Sequence, residues 1–393
     1  MLVKNLTIYT SEVNVVLVRP KVFRLGAEEA DAEVFEKNLS QVCKNLYAFQ
    51  LTNNTDDLKL NKWTEGKLSE STLIPLSESY SMRTRVIMAT ILDPACRHYL
   101  RLGIADTISN YLERRGHPID TVIASNSSFL GVSLAIRCKR RISRSVNFEP
   151  IHYLQENYYS LKMPLVFLTK IWSTALERIT CQILAISPKD SARYRYFPSF
   201  NSMYILPLQH LQELKKTEHK EFGSPLKVGF LGSTYNVKHN LEGLVFVVNG
   251  VAKEMQDSNL HFNIYGVKSP KLNFPSNVTI HGWIEPISRI YEDNDVFVVP
   301  YVGGTGQQSK MFEPLCKGKL VVANPNALAG YPFLPNLHYL SAISEADFIE
   351  KLSQCTLIPS DFRYIGKNAG KKCAQIFSSA YNLKTIKNSI FSS

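Results

Sequence analysis

Short apolar runs alternate with segments of helical spacing along almost the whole chain. The runs are too short for helices and suit strands buried on both faces, and the helical segments between them supply parallel crossovers. The pattern reads as α/β. In the first half, strands are expected at 13–18, 46–51, 121–124 and 181–186, with a further one over the first nine residues and another ending at Phe148–His152. Helices are expected at 30–44, at 84–116 in two pieces split near Asp93-Pro94, at 129–137, and at 153–178 with a break at Pro164. Residues 52–80 are rich in Ser, Thr, Asn, Lys and Glu and read as a surface excursion. The turn at 116–120 leads into strand 121–124, and Ser125–Ser128 offers hydroxyls for a helix N-cap. Ser187–Asp190 closes the last strand of this half in the same way.

The pattern restarts at Pro225 after a segment carrying Pro198, Pro207, Gly223 and the charged run Glu213–Glu221. This segment is the expected linker. It separates a domain at 1–200 from one at 225–374, with 201–224 between them and a final helix at about 375–393 expected to pack back on the first. The second domain should hold strands at 225–232, 261–266, 277–282, 295–300 and 320–323. Helices follow at 240–255, 283–291 and 309–317, and the remainder is mostly helical. No internal repeat is visible.

Chemistry concentrates between two of these strands. The run Asp295–Pro300 is followed by a loop with Gly303, Gly304 and Gly306, then by a short helix from Ser309 closed by Gly318, then by Leu320–Ala323. Ligands of parallel sheets bind at the carboxyl ends of the strands, where this loop falls. Glycines let a backbone approach a phosphate, and the following helix N-terminus offers free N–H groups and a positive dipole end. Lys310 and Glu313, three apart, share a helix face. A cation that can meet a phosphate beside a carboxylate that can accept from two hydroxyls suits a nucleotide-sugar. Gly232 and Ser233 open the first loop of the same domain, where they form either a second phosphate-facing turn or a plain tight turn. Lys238, six residues on, is either a diphosphate cation or a solvated lysine.

These residues carry a resemblance. Gly304-Thr-Gly306, Ser309-Lys310, Phe312-Glu313, Gly318 and Val321-Val322 are similar to the donor-binding motif of GT-B glycosyltransferases, nearest the retaining family-4-like group that builds glycans and lipopolysaccharides. The likeness is good over 225–325, partial over 119–190 and vague before 119. It implies two Rossmann-like domains with parallel sheets facing an interdomain cleft. It also implies that Glu313 holds the ribose, that Lys310 meets the leaving diphosphate and that Gly232, Ser233 and Lys238 line the donor. Relatives carry a second glutamate eight positions earlier, where this chain has Thr305. Backbone amides of Gly304, Thr305, Gly306 and Gln307 are then expected to meet the sugar or phosphate. In the first domain the resemblance points to His152, at a strand end, as the group presented to the donor sugar. Glu156, Asn157 and Tyr158 continue the acceptor side, and Asn126 and Ser127 are weaker candidates. Trp283 and Ile284 are placed either beside the base or in the core. The implied activity is sugar transfer from a nucleotide-diphosphate sugar to a glycan or lipid-linked acceptor. The alternative is a non-catalytic GT-B-like subunit of a glycan-assembly complex.

Composition narrows the partners. The 393 residues are 45% hydrophobic and 20% charged, as in globular proteins with ample cores. No run of about 18 apolar residues marks a spanning helix, and the first residues lack the signature of a signal peptide. Seven cysteines are scattered without a CxxC pair, so a metal or dithiol motif is not suggested and a reducing cytosol is expected. Asp293 and Asp295 spell Asp-x-Asp but precede a strand, so they read as a structural lead-in; no metal or other cofactor is expected. Net charge is +11, with a cluster at Arg137, Lys139, Arg140, Arg141 and Arg144. No aromatic-interleaved basic groove accompanies it, so an anionic membrane surface is favoured over nucleic acid as a partner. The apolar and basic segment 162–172 belongs to the same expectation, either as a bilayer contact at the inner face of the membrane or as a buried helix.

Overall fold

The computed structural model describes residues 13–20, 27–52, 56–157, 162–214, 222–267, 273–301, 304–357 and 359–391. The strand expected over the first nine residues, Tyr158, Gly303 and most of the run Glu213–Glu221 lie outside them. So do the side chains of Glu156, Asn157 and Ser233. The chain divides into two compact units. One takes in residues 1–210, 305–307 and 379–393, the other 211–304 and 308–378.

The first unit is built on an eight-stranded sheet: β1 Asn14–Arg19, β2 Asn45–Leu51, β3 Asp57–Thr64, β4 Lys67–Pro75, β5 Thr121–Ala124, β6 Arg140–Ser145, β7 Gln182–Ala185 and β8 Met203–Ile205. Their order is β4-β3-β2-β1-β5-β6-β7-β8. β1, β2 and β5 to β8 run parallel. β1 is apolar from Val15 to Val18 because both its faces are covered. Val16 and Val18 pack with Leu100, Ile104 and Ile108 on one side, Val15 and Leu17 with Phe35, Leu39 and Ile386 on the other.

Two expectations fail here for local reasons. Residues 52–80 are not an irregular excursion: β3 and β4 form an antiparallel hairpin on β2. Leu58 and Leu60 alternate inward, and Glu65 and Gly66 both take positive φ at the turn. The stretch 84–116 holds three helices, Met82–Thr90, Pro94–Arg101 and Ile104–Glu113, because the chain turns at Gly103 as well as at Asp93-Pro94.

The basic cluster is also reassigned, since much of it is β6. Arg144 is fully buried, paired with Asp31 at 2.7 Å and set 4.3 Å over the Phe35 ring. Arg141 donates to the carbonyls of Ser133 and Ile136 at the end of helix Leu130–Ala135, and Arg140 donates to Ile390. Lys139 is exposed but paired with Asp120. These charges hold the unit together rather than forming a free basic patch.

Helix Met163–Thr180 turns its ionisable groups inward. Lys170 lies 2.9 Å from Asp93 and 3.1 Å from Glu149. Burial pulls its pKa down, but the two carboxylates outweigh this and hold it at about 12. Glu177 accepts hydrogen bonds from Ser143 and, at 2.8 Å, from Tyr194. Burial pushes its pKa up to about 7 against these bonds.

The second unit has a six-stranded sheet: β9 Leu226–Thr234, β10 Leu260–Val267, β11 Val278–Gly282, β12 Val296–Val299, β13 Leu320–Ala323 and β14 Leu340–Ser341. All neighbours are parallel, in the order β11-β10-β9-β12-β13-β14. This is the doubly wound order in which the winding reverses between the first and fourth strands, here β9 and β12. Their pairing covers Val228–Gly229 against Val296–Phe297, so the later residues of β9 run on without β12 beside them. At the opposite end of the sheet Asp295 accepts the Lys227 amide at 2.9 Å, which fits its reading as a lead-in to the strand.

Candidate functional site

The helix that follows β12, at the reversal point between β9 and β12, carries the two charged candidates Lys310 and Glu313. β9 does not end at Gly232, as expected from the sequence, but continues to Thr234. Its register with β10 skips Gly232: Leu231 faces Tyr265 and Ser233 faces Gly266. A bulge of this kind takes one residue out of the ladder and re-aims its polar groups. The Gly232 carbonyl accepts the Lys310 ammonium at 2.9 Å. A side chain at Gly232 is impossible without rearrangement, because a Cβ there would lie 2.1 Å from the Tyr235 ring.

Lys310 stands in the first turn of helix Ser309–Cys316, which follows the loop after β12. Its ammonium also donates to Asn240 Oδ1. Asn240 is buried and its amide in turn donates to the Thr234 carbonyl at 2.8 Å, so one side chain ties the end of β9 to Lys310. The Tyr301 ring lies 5.2 Å from the ammonium, and its hydroxyl is fixed on the Leu231 carbonyl at 3.1 Å. The acceptors on Lys310 are thus neutral dipoles with an aromatic face. Burial lowers its pKa to about 7, with Glu313 opposing the shift. An ammonium so weakly compensated gains most from an incoming anion, which restores its charge.

Glu313 is buried one turn further along, and its carboxylate accepts the Tyr291 hydroxyl. Burial and the neighbouring carboxylate push the Tyr291 pKa well above its usual value, so Tyr291 stays a donor. Lys238 begins helix Lys238–Val245, where its ammonium lies 3.8 Å from Glu242 on an exposed face.

Other expected site residues are elsewhere. Residues 305–307 group with the first unit. There Thr305 donates to Asn147 at 3.1 Å, Gly306 N–H donates to the Asp190 carboxylate, and Gln307 accepts the Leu208 amide at 2.7 Å. The Gly306 amide, expected to face sugar or phosphate, is held by a carboxylate. Gly306 has φ +73°, and a Cβ on it would lie 2.5 Å from the Val146 carbonyl, so glycine is required. Gly304 groups with the second unit. His152 does not end a strand: Glu149–Asn157 is a helix, and His152 sits half-buried in its first turn. The preceding strand β6 ends at Ser145, and its sequence Arg-Arg-Ile-Ser-Arg-Ser carries no apolar run that would mark that end. Asn126 is a helix cap, accepting the Ser128 amide at 2.8 Å.

Residues 225–342 match the family model described as "Glycosyl transferases group 1". No curated protein sequence matches the chain. Among solved structures, sucrose-phosphate synthase from Thermosynechococcus elongatus aligns at a TM-score of 0.65 and 13% identity, over 95% of this chain and 96% of that one. HepE from Anabaena, crystallised with UDP-glucose, aligns at 0.62 and 10% identity, over 97% and 100%. TarM aligns at 0.58 and 16% identity over 73% of this chain, which spans 58% of that chain. The chain has the GT-B fold.

In this GT-B frame the Lys310–Glu313 pair belongs to the reversal point of the second unit. The tyrosines around the pair escaped the sequence reading. Tyr301 and Tyr291 floor and fix the two charged groups, and Tyr235 sets the bulge by covering Gly232 and donating to the Tyr265 carbonyl at 2.9 Å. The available signal was position: Tyr301 directly follows the strand that leads into the loop.

Proposed function

We propose that the chain is a glycosyltransferase that takes its sugar from a nucleotide-diphosphate sugar and transfers it, with retention of configuration, to a glycan or lipid-linked acceptor. The observation that carries this reading is the Lys310 ammonium, set on neutral acceptors at the carboxyl end of β9 with its pKa lowered to about 7. A diphosphate entering there exchanges with the Gly232 carbonyl and Asn240 as partner of the ammonium. Negative charge grows on the phosphate as its bond to the sugar breaks, so the contact strengthens toward the transition state. Glu313, on the same helix, is the acceptor for the ribose hydroxyls, with Tyr291 keeping its second oxygen oriented. Because HepE was crystallised with UDP-glucose, a uridine donor is the first to try.

The test is calorimetric binding of UDP together with turnover of UDP-sugars. Glu313→Gln should weaken UDP binding by about tenfold, the loss of one charge-assisted hydrogen bond pair. Lys310→Ala should lower kcat more than it raises KM. Thr305, where relatives carry a glutamate, favours the second reading of a non-catalytic binding subunit. Tight UDP binding with neither transfer nor hydrolysis of any UDP-sugar would select it, and no nucleotide binding at all would reject both.

A further inference from the structure

Helix Met163–Thr180 is inverted relative to an ordinary surface helix. Its ionisable residues Lys170 and Glu177 are buried, whereas four of its large apolar residues point outward. Leu165 is 69% exposed, Leu168 63%, Trp172 47% and Ile179 61%. Spacings of three, four and seven place these four on one face. A single exposed leucine needs no explanation, but a whole outward apolar stripe marks an interaction surface.

Neighbouring elements extend the stripe. Lys170 and Ser173 bond Asp93, which brings the exposed Leu92 beside the middle of the helix. Val86 is exposed on helix Met82–Thr90, whose Ile87 packs in the same core cluster as Leu176. Arg178 donates to Asn201 and Asn201 to Ile179, which sets the fully exposed Phe200 against the far end.

Charge decides the partner. Helix 82–90 and the segment 195–203 contain no acidic residue, and the acids of helix 163–180 and of Pro188–Tyr194, Glu177 and Asp190, are buried. Every exposed charge on these elements is positive, notably Arg85, Lys162 and Arg195. An apolar stripe on elements whose own exposed charges are positive, with the nearby Glu149 paired to Lys170, fits anionic headgroups above acyl chains, with Trp172 at the boundary. A second copy of this chain would set like charges against like. Among the described residues no helix is long and apolar enough to cross a membrane, so attachment here is peripheral.

We propose that this face of the first unit docks on an anionic lipid bilayer. The surface leaves out the β6 cluster, takes in the segment 162–172 that the sequence offered as a bilayer contact, adds Leu92, Val86, Ile179 and Phe200 to it, and does not depend on the transferase reading. The test is flotation of the full chain with phosphatidylcholine vesicles, with and without phosphatidylglycerol, across a salt series. Binding should require the anionic lipid and weaken as salt rises. The double variant Leu168→Gln/Trp172→Gln should lower partitioning by about tenfold or more. Lys139→Ser, outside the face, should leave it unchanged. Far-ultraviolet circular dichroism and the urea-unfolding midpoint of the same samples report that the variants are folded, independently of the transferase reading. Failure to float at low salt, or equal flotation of the double variant, overturns the proposal. So does a dimer in sedimentation velocity that the double variant dissolves, which would make the occupant a second copy.

Discussion

Lys310 joins sequence position to chemistry most directly. Burial lowers the pKa of its ammonium to about 7. A bound phosphate favours the charged form and raises that pKa, so binding takes up a proton whenever the free side chain is neutral. The sign follows: UDP binding should be strongest below about pH 7 and should weaken by roughly tenfold per pH unit above it, until the pKa of the occupied site is passed. The phosphate's own last proton leaves near pH 6 and does not contribute between pH 7.5 and 9. Calorimetry in buffers of different ionisation heat should show net proton uptake in that window. Lys310→Met should bind more weakly at pH 7 and show no such slope. A wild-type affinity that is flat from pH 7.5 to 9 would place the ammonium away from the phosphate.

At the scale of elements, the bulge at the end of β9 depends on one missing side chain. Tyr235 is buried and hydrogen-bonded, so its ring cannot retreat from a methyl group at Gly232. Gly232→Ala should cost about 1–3 kcal/mol in urea unfolding, as overpacking typically does. It should also weaken UDP binding, because the carbonyl that orients Lys310 moves with the bulge. In a Tyr235→Ala background the ring is gone, so adding Gly232→Ala should cost little further stability. Unchanged stability in Gly232→Ala would mean that the strand end is pliable and the bulge incidental.

For the whole molecule, the doubly wound order of the second sheet puts a lysine, helix amides and tyrosine-fixed carbonyls at one reversal point. Lysine and amide dipoles supply the positive field that a leaving diphosphate requires. Sugar transfer should therefore persist in excess chelator and not be stimulated by added magnesium. Loss of transfer in chelator with recovery on adding magnesium or manganese would transfer the electrostatic role to a metal ion.

The hydrophobic pattern of the sequence sufficed for the α/β class, for most strands, and for placing Lys310 and Glu313 on one helix face after a glycine loop. These are local properties: short apolar runs need two-sided burial, and residues three apart on a helix must be neighbours. Burial of charge was not local. Arg144 read as part of a basic surface because its partner Asp31 is distant along the chain, and only the sheet packing brings them to 2.7 Å. The 52–80 hairpin was hidden because β4 is an edge strand with no fully buried residue, so its sequence carries no apolar-in, polar-out alternation. His152 was misplaced because β6 holds one apolar residue in six, so the sequence does not mark where that strand ends and the next helix begins. Helix 163–180 shows the limit most clearly. Its sequence marks an amphipathic segment, but which face looks inward is decided by Asp93 and Glu149 clasping Lys170, and by Ser143 and Tyr194 holding Glu177. Periodicity defines the two faces of a helix, and only tertiary partners decide which of them meets the solvent.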